Sequence, residues 1–169
     1  KNIAIIAHQR SSHLENALFN NVLGLQTKTF RKDILSDGKE HLKKLYPKIN
    51  QMDREKVLGI DVIEEGYSIS TNRNTYRSKI VVIALNYSKP FAIEGLDDFI
   101  IPHQKANSAK DRIQLKNNDH LIKKGLYCCG TIAGHRSQFA IAAGSGASVA
   151  TDILTLWNNG SHAKIHDKV

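Results

Sequence analysis

Two uninterrupted apolar runs stand out in an otherwise mixed chain, Ile3 to Ala7 and Ile80 to Leu85. Each has the length of a strand, and apolar residues at successive positions suit a strand covered on both faces, as in a parallel sheet. Polar residues follow the first run at His8 to Ser12. Ser12-His13-Leu14-Glu15 then has the spacing of a capping box, in which hydroxyl and carboxylate satisfy orphan backbone donors. Leu14, Ala17, Leu18 and Val22 recur at helical spacing as far as Gly24, a suitable C-cap. Leu25 to Phe30 reads as a second strand. Strand, tight turn, helix and strand within about 30 residues open a doubly wound α/β unit.

Further along, Leu42, Leu45, Ile49 and Met52 form a helical stripe over Glu40 to Met52, interrupted by Pro47. Val57 to Ile63 suggests another strand. Tyr67 to Thr71 and Asn74 to Ser78 alternate around Asn72-Arg73, the pattern of a hairpin. Pro90 to Asp119 is polar and loop-like apart from Phe99-Ile100-Ile101. A short strand is expected within Gly125 to Ile132, and Phe139 to Trp157 reads as a helix rich in Ala, Gly and Ser. The fold class this implies is α/β, a parallel sheet with helices on both faces and a small antiparallel hairpin or meander. Residues 1–157 are expected to form one domain and 158–169 a polar tail.

Composition changes this picture little. Of the 169 residues, 41% are hydrophobic and 24% charged, an ordinary globular balance. No uninterrupted apolar run approaches the roughly 20 residues of a membrane span. The N-terminal run is too short for a secretory signal and reads as a strand. Cys128 and Cys129 are the only cysteines. Neighbours on a strand point to opposite faces and do not bridge, so a reducing cytoplasmic setting is expected. A net charge of +8 favours anionic partners. The basic residues are scattered, without interleaved aromatics, which argues against nucleic acid as the partner.

The last third carries a resemblance. Gly125-Leu126-Tyr127-Cys128-Cys129-Gly130-Thr131-Ile132, then Gln138 and Ala142-Ala143-Gly144-Ser145-Gly146-Ala147, is similar to the C-terminal FAD segment of thioredoxin reductase-like flavoproteins. Tyr76 to Ala84 resembles the strand before the family's Ala-Thr-Gly motif, and Ile93-Glu94-Gly95 the Ile-Pro-Gly after it. Asp37-Gly38 and Leu45-Tyr46-Pro47 also match stretches of family members. The resemblance covers most of the chain in order. It implies the FAD half of such a protein, Rossmann-like, without the NADPH domain that family members carry between the positions of Gly95 and Gly125. The redox Cys-x-x-Cys motif is absent with that domain. An external electron donor or redox partner protein is then implied, with a homodimer as an option.

By resemblance, the residues that would hold FAD are His8, Gln9, Arg10 and Ser12 on the first turn, then Asn86, Gly130, Thr131, Gln138 and Ala142. Several depart from the family pattern. The first turn lacks the glycines that let backbone approach a pyrophosphate, and Arg10 could instead contact phosphate as a bidentate donor. Arg31-Lys32 stand where an acidic residue is expected, Asn86 replaces the glycine of Ala-Thr-Gly, and Thr131 replaces the ribityl-binding aspartate. His135 is open to a general-acid role or to a plain surface-loop position. Three readings follow: an FAD-binding oxidoreductase, a cofactor-free scaffold acting as a binding or regulatory protein, and a basic nucleotide or nucleic-acid binder.

Overall fold

A computed structural model of the chain describes residues 2–8 and 18–163. Twelve strands occur among them: β1 (Ala4–Ala7), β2 (Leu18–Phe19), β3 (Thr29–Phe30), β4 (Asn50–Asp53), β5 (Val57–Ile63), β6 (Gly66–Thr71), β7 (Thr75–Ser78), β8 (Val81–Ile83), β9 (Ile100–Pro102), β10 (Ile113–Leu115), β11 (Leu121–Lys123) and β12 (Leu126–Cys128). Helix α1 (Arg31–Leu45) precedes β4, and α2 (Phe139–Trp157) closes the described chain. The chain divides into two compact units, residues 1–58 with 70–75 and residues 59–69 with 76–169. The architecture is mixed α/β, with strands distributed over five small sheets among the described residues. Parallel pairing is found in β1–β4 and in β8–β12.

In the first unit β1 lies parallel to β4, with Ala4 opposite Asn50 and Ala7 opposite Asp53. The expected strand at Leu25 to Phe30 contracts to β3, which pairs antiparallel with β2, and α1 begins at the next residue. Arg31 and Lys32, expected where the second strand ends, therefore form the first turn of α1 together with Asp33. Asp33 there and Lys43 and Lys44 in the last turn oppose the helix dipole with the right signs. The helix stops at Tyr46 because a residue before proline is pushed out of the α region; Tyr46 has φ −128 and ψ 62. The stripe read through Pro47 is thus two elements, and Met52 belongs to β4. The capping box and the first half of the expected helix after it lie outside the described residues.

Strands β5, β6 and β7 form one sheet in that order. Their connections of two and three residues can join only antiparallel neighbours. Asn72 and Arg73 lie in the second connection, and the Asn72 side-chain oxygen accepts from the Lys56 backbone N–H at 2.7 Å.

The second unit is organised on β12, parallel to β8 and antiparallel to β11. Leu96, Leu115, Leu126, Cys128 and Ile132 are fully buried. Tyr127 and Cys129 pack with Ile80 against Val149 and Ile153 of α2. The segment read as loop, Pro90 to Asp119, in fact contains the antiparallel pair β9–β10 and two 3-10 turns. Their strands are three residues each, too short for periodicity to register. Both cysteines are buried and free. Burial and the neighbouring Cys129 push the Cys128 thiol up to about 12, and burial raises Cys129.

Helix α2 has the bounds read from the sequence. Its 19 residues are long and apolar enough, by length and composition, to cross a membrane. No single run signalled this, because Gly, Ser and Thr interrupt it. Ser145, Val149 and Ile153 form its buried stripe at i, i+4, i+8 spacing.

Candidate functional site

The segment leading into α2 gathers most of the polar chemistry of the second unit. After β12 the chain turns at Gly130 (φ +74) into a 3-10 turn, Gly130–Ala133. That positive φ suits glycine, and it brings the Gly130 N–H to 2.9 Å from the Ser145 hydroxyl oxygen. Gln138 then stands at the N-cap of α2 in extended conformation, with no side-chain capping bond.

A cluster of imidazoles lies beside this turn. Asn118 and Leu121 exchange backbone hydrogen bonds of 2.9 and 3.0 Å, closing a two-residue turn at Asp119 and His120. Both have positive φ, +45 and +72, as a type I′ turn demands. The turn buries His120, whose Nε2 lies 2.9 Å from both Ser145 Oγ and His135 Nε2. Its Nδ1 is buried without a hydrogen-bond partner, 3.5 Å from an Asp119 carboxylate oxygen. That carboxylate favours a proton on Nδ1, which leaves the single lone pair of Nε2 facing Ser145 Oγ and His135 Nε2. Burial, then the neighbouring His120 and Lys105, hold the His135 imidazole below its ordinary value. Asp119, His120 and Ser145 follow one another as in a nucleophilic triad, but Ser145 is buried and lines neither hollow described below. The arrangement rigidifies the turn.

On the other side of His135 a hollow of about 280 Å³ opens between Tyr87, the segment His103 to Lys110, and the residues His135 to Gln138. Lys105, Lys110 and Arg136 line it, with no carboxylate among its walls. A larger hollow of about 520 Å³ is lined by Glu64, Glu65, Arg77 and Lys79; its charges are mixed, and it contains none of the residues expected from the sequence.

The expected cofactor residues are distributed unevenly. Gln9, Arg10 and Ser12 lie outside the described residues. His8 follows β1 in the first unit and is exposed. Gly130, Thr131, Gln138 and Ala142 all belong to the turn and first helical turns around the α2 N-terminus. Thr131 Oγ lies 3.5 Å from the Leu85 carbonyl, at the limit of a hydrogen bond, which sets it near Asn86. Asn86 itself is exposed and accepts from the Ser88 N–H at 2.9 Å. His135 is not a plain surface-loop residue, since it is half-buried against His120. Sequence reasoning missed His120, Ser145 and His103. The turn Asn118-Asp119-His120-Leu121 was the one available signal for the first, because Asn and Asp favour such turns.

No family model and no curated protein matches the chain. Solved structures do. A ferredoxin-flavin thioredoxin reductase from Clostridium acetobutylicum superposes with TM-score 0.67 at 15% identity, over 92% of this chain and 88% of that one. A second structure carrying the same description gives 0.63 at 16%, over 88% and 87%. T. acidophilum thioredoxin reductase gives 0.55 at 12%, over 85% and 84%. At these identities the likeness is one of fold, and the chain has a thioredoxin reductase-like fold.

Proposed function

We propose that the chain is a thioredoxin reductase-like redox protein that holds a flavin, in the form of FAD, and exchanges electrons with a partner protein. The observation that carries this reading is the convergence of Gly130, Thr131, Gln138 and Ala142 on the N-terminal end of α2. It occurs in the order of the family's FAD segment, within a thioredoxin reductase-like fold. The donor set suits an electron-rich group: the positive end of the α2 dipole and the Gln138 amide both favour negative charge. Gln138 and Thr131 would orient the ring and its side chain, and small Ala142 leaves room for close approach. A bound flavin supplies the electron-transfer chemistry; the protein supplies position and field.

Two further features bear on partners. The buried thiols of Cys128 and Cys129, raised by burial, are poor nucleophiles, so thiol exchange would fall to another protein. The structural neighbours described as ferredoxin-flavin reductases support an external protein donor. A doubly wound Rossmann-like sheet and an absent NADPH domain belong to the same proposal. The test is direct. Purified protein should show flavin absorbance, or acquire it with added FAD, and Gln138→Ala should weaken retention about tenfold, the loss of one good hydrogen bond. A colourless protein that takes up no FAD would sink the reading.

A further inference from the structure

The hollow beside α2 has a wall that the redox reading does not use. Tyr87 and the segment His103 to Lys110 supply it, and the segment lies in the stretch outside the family resemblance. His103 is 7% exposed. Its Nδ1 accepts the Lys105 backbone N–H at 3.1 Å, so the ring proton sits on Nε2. That Nε2 is buried and has no partner among the described residues. A buried donor left unsatisfied is costly, and a small shift of the ring toward the hollow that His103 lines would give it an acceptor.

The rest of the lining answers the same need. Lys105, Lys110 and Arg136 contribute three cationic heads, and none forms an ion pair among the described residues. Asp111, next to Lys110 in sequence, is engaged by Lys89 at 2.8 Å. Arg136 has only a marginal 3.5 Å contact, to the Lys105 carbonyl. Like charges gathered without a carboxylate repel one another unless an anion joins them. The 19-residue α2 begins at the same place, and its first amides add to the positive field.

We propose that this hollow is a receptor for a phosphate group, free or carried by a small metabolite or nucleotide, held by Lys105, Lys110, Arg136 and the His103 Nε2–H. Its volume of about 280 Å³ accommodates a phosphate group together with part of what carries it. A nucleic-acid strand fits less well. Such sites stack bases on open aromatic faces, whereas Tyr87 has the Arg112 guanidinium 5.1 Å from its ring and His103 packed at 62° to it. His103, Lys105 and Lys110 are not among the flavin-holding residues, whereas Gln138, which is, borders the same hollow.

Calorimetric titration of the full chain tests it, with inorganic phosphate, pyrophosphate and AMP compared with chloride at equal ionic strength. Saturable binding of one phosphate ligand per chain is expected. Lys105→Ala with Arg136→Ala should weaken it at least tenfold, and His103→Gln severalfold, with circular dichroism unchanged. Lys44→Ala, on the exposed face of α1, should leave it unaltered. Tighter binding of AMP identifies a nucleotide as the source of the group, and equal binding identifies free phosphate. Three outcomes overturn the proposal: a response matched by chloride, full affinity in the double variant, or binding confined to oligonucleotides or acidic peptides. The readout needs no flavin, so its failure and that of the redox reading are distinguishable.

Discussion

The two helices are built on opposite principles. Helix α1 buries none of its residues, and its ends are tuned by charge, Asp33 at the start and Lys43 and Lys44 at the finish. Helix α2 carries no acidic residue in its first turn and no basic one in its last, and it is anchored by Ser145, Val149 and Ile153. The units containing them differ in the same way. Among the described residues of the first unit, Glu55 alone is buried, and Thr71 donates to its carboxylate at 2.6 Å. The second unit contains a close-packed set of aliphatic side chains. Packing holds one region, while surface charge and one polar contact contribute to the other.

This contrast can be broken by substitution. The largest effect is expected at Leu126→Ala, which should lower stability by about 2–5 kcal/mol in denaturant titration, because a fully buried leucine leaves a cavity. Leu45→Ala at the exposed end of α1 should change it by less than about 0.5 kcal/mol. Equal losses at the two positions would refute the contrast. Gly95→Ala comes next, at about 3 kcal/mol. Gly95 has φ +83, and an added Cβ would lie 2.2 Å from the Ile60 carbonyl oxygen, so backbone must move. Thermal unfolding would show it.

Thr71→Val should cost about 1–3 kcal/mol by removing a donor from the buried Glu55, and the loss should appear as faster hydrogen exchange in residues 50–58. The smallest effect concerns pH. His135 titrates below the 6.5 of an ordinary imidazole, so the unfolded chain takes up this proton first. Its contribution to stability is complete above pH 6.5 and is lost as the pH falls through the folded-state value. His135→Gln should therefore flatten the decline of melting temperature below pH 6.5, and an unchanged slope would contradict this account.

Legibility from sequence followed the same division. Residues 139–157 could be bounded because small and apolar residues continue there without a helix breaker, and Cys128 and Cys129 could be read as buried strand neighbours. The hairpin at Asn72-Arg73 was legible because alternation and turn residues agree locally. The boundary between α1 and β4 was blurred, since Ile49 and Met52 happened to continue a helical spacing past Pro47. Of the candidate site, only the part on the approach to α2 was visible, through Gly130, Thr131, Gln138 and Ala142.

By itself, then, the sequence determined the positions of the strongest strands, the long final helix and the surplus of positive charge. Each is a local property, set by side-chain periodicity or composition. Tertiary structure decided the rest. It brought His120 to Ser145 across 25 residues and to His135 across 15, and it placed Lys105 and Lys110 in the same hollow as Arg136 and beside an unsatisfied His103. Nothing in the spacing of those residues marks them as partners, because short strands and a turn with two positive φ angles reverse the chain between them. Their chemistry arises from where the backbone folds back, and that depends on which apolar side chains find one another in the core.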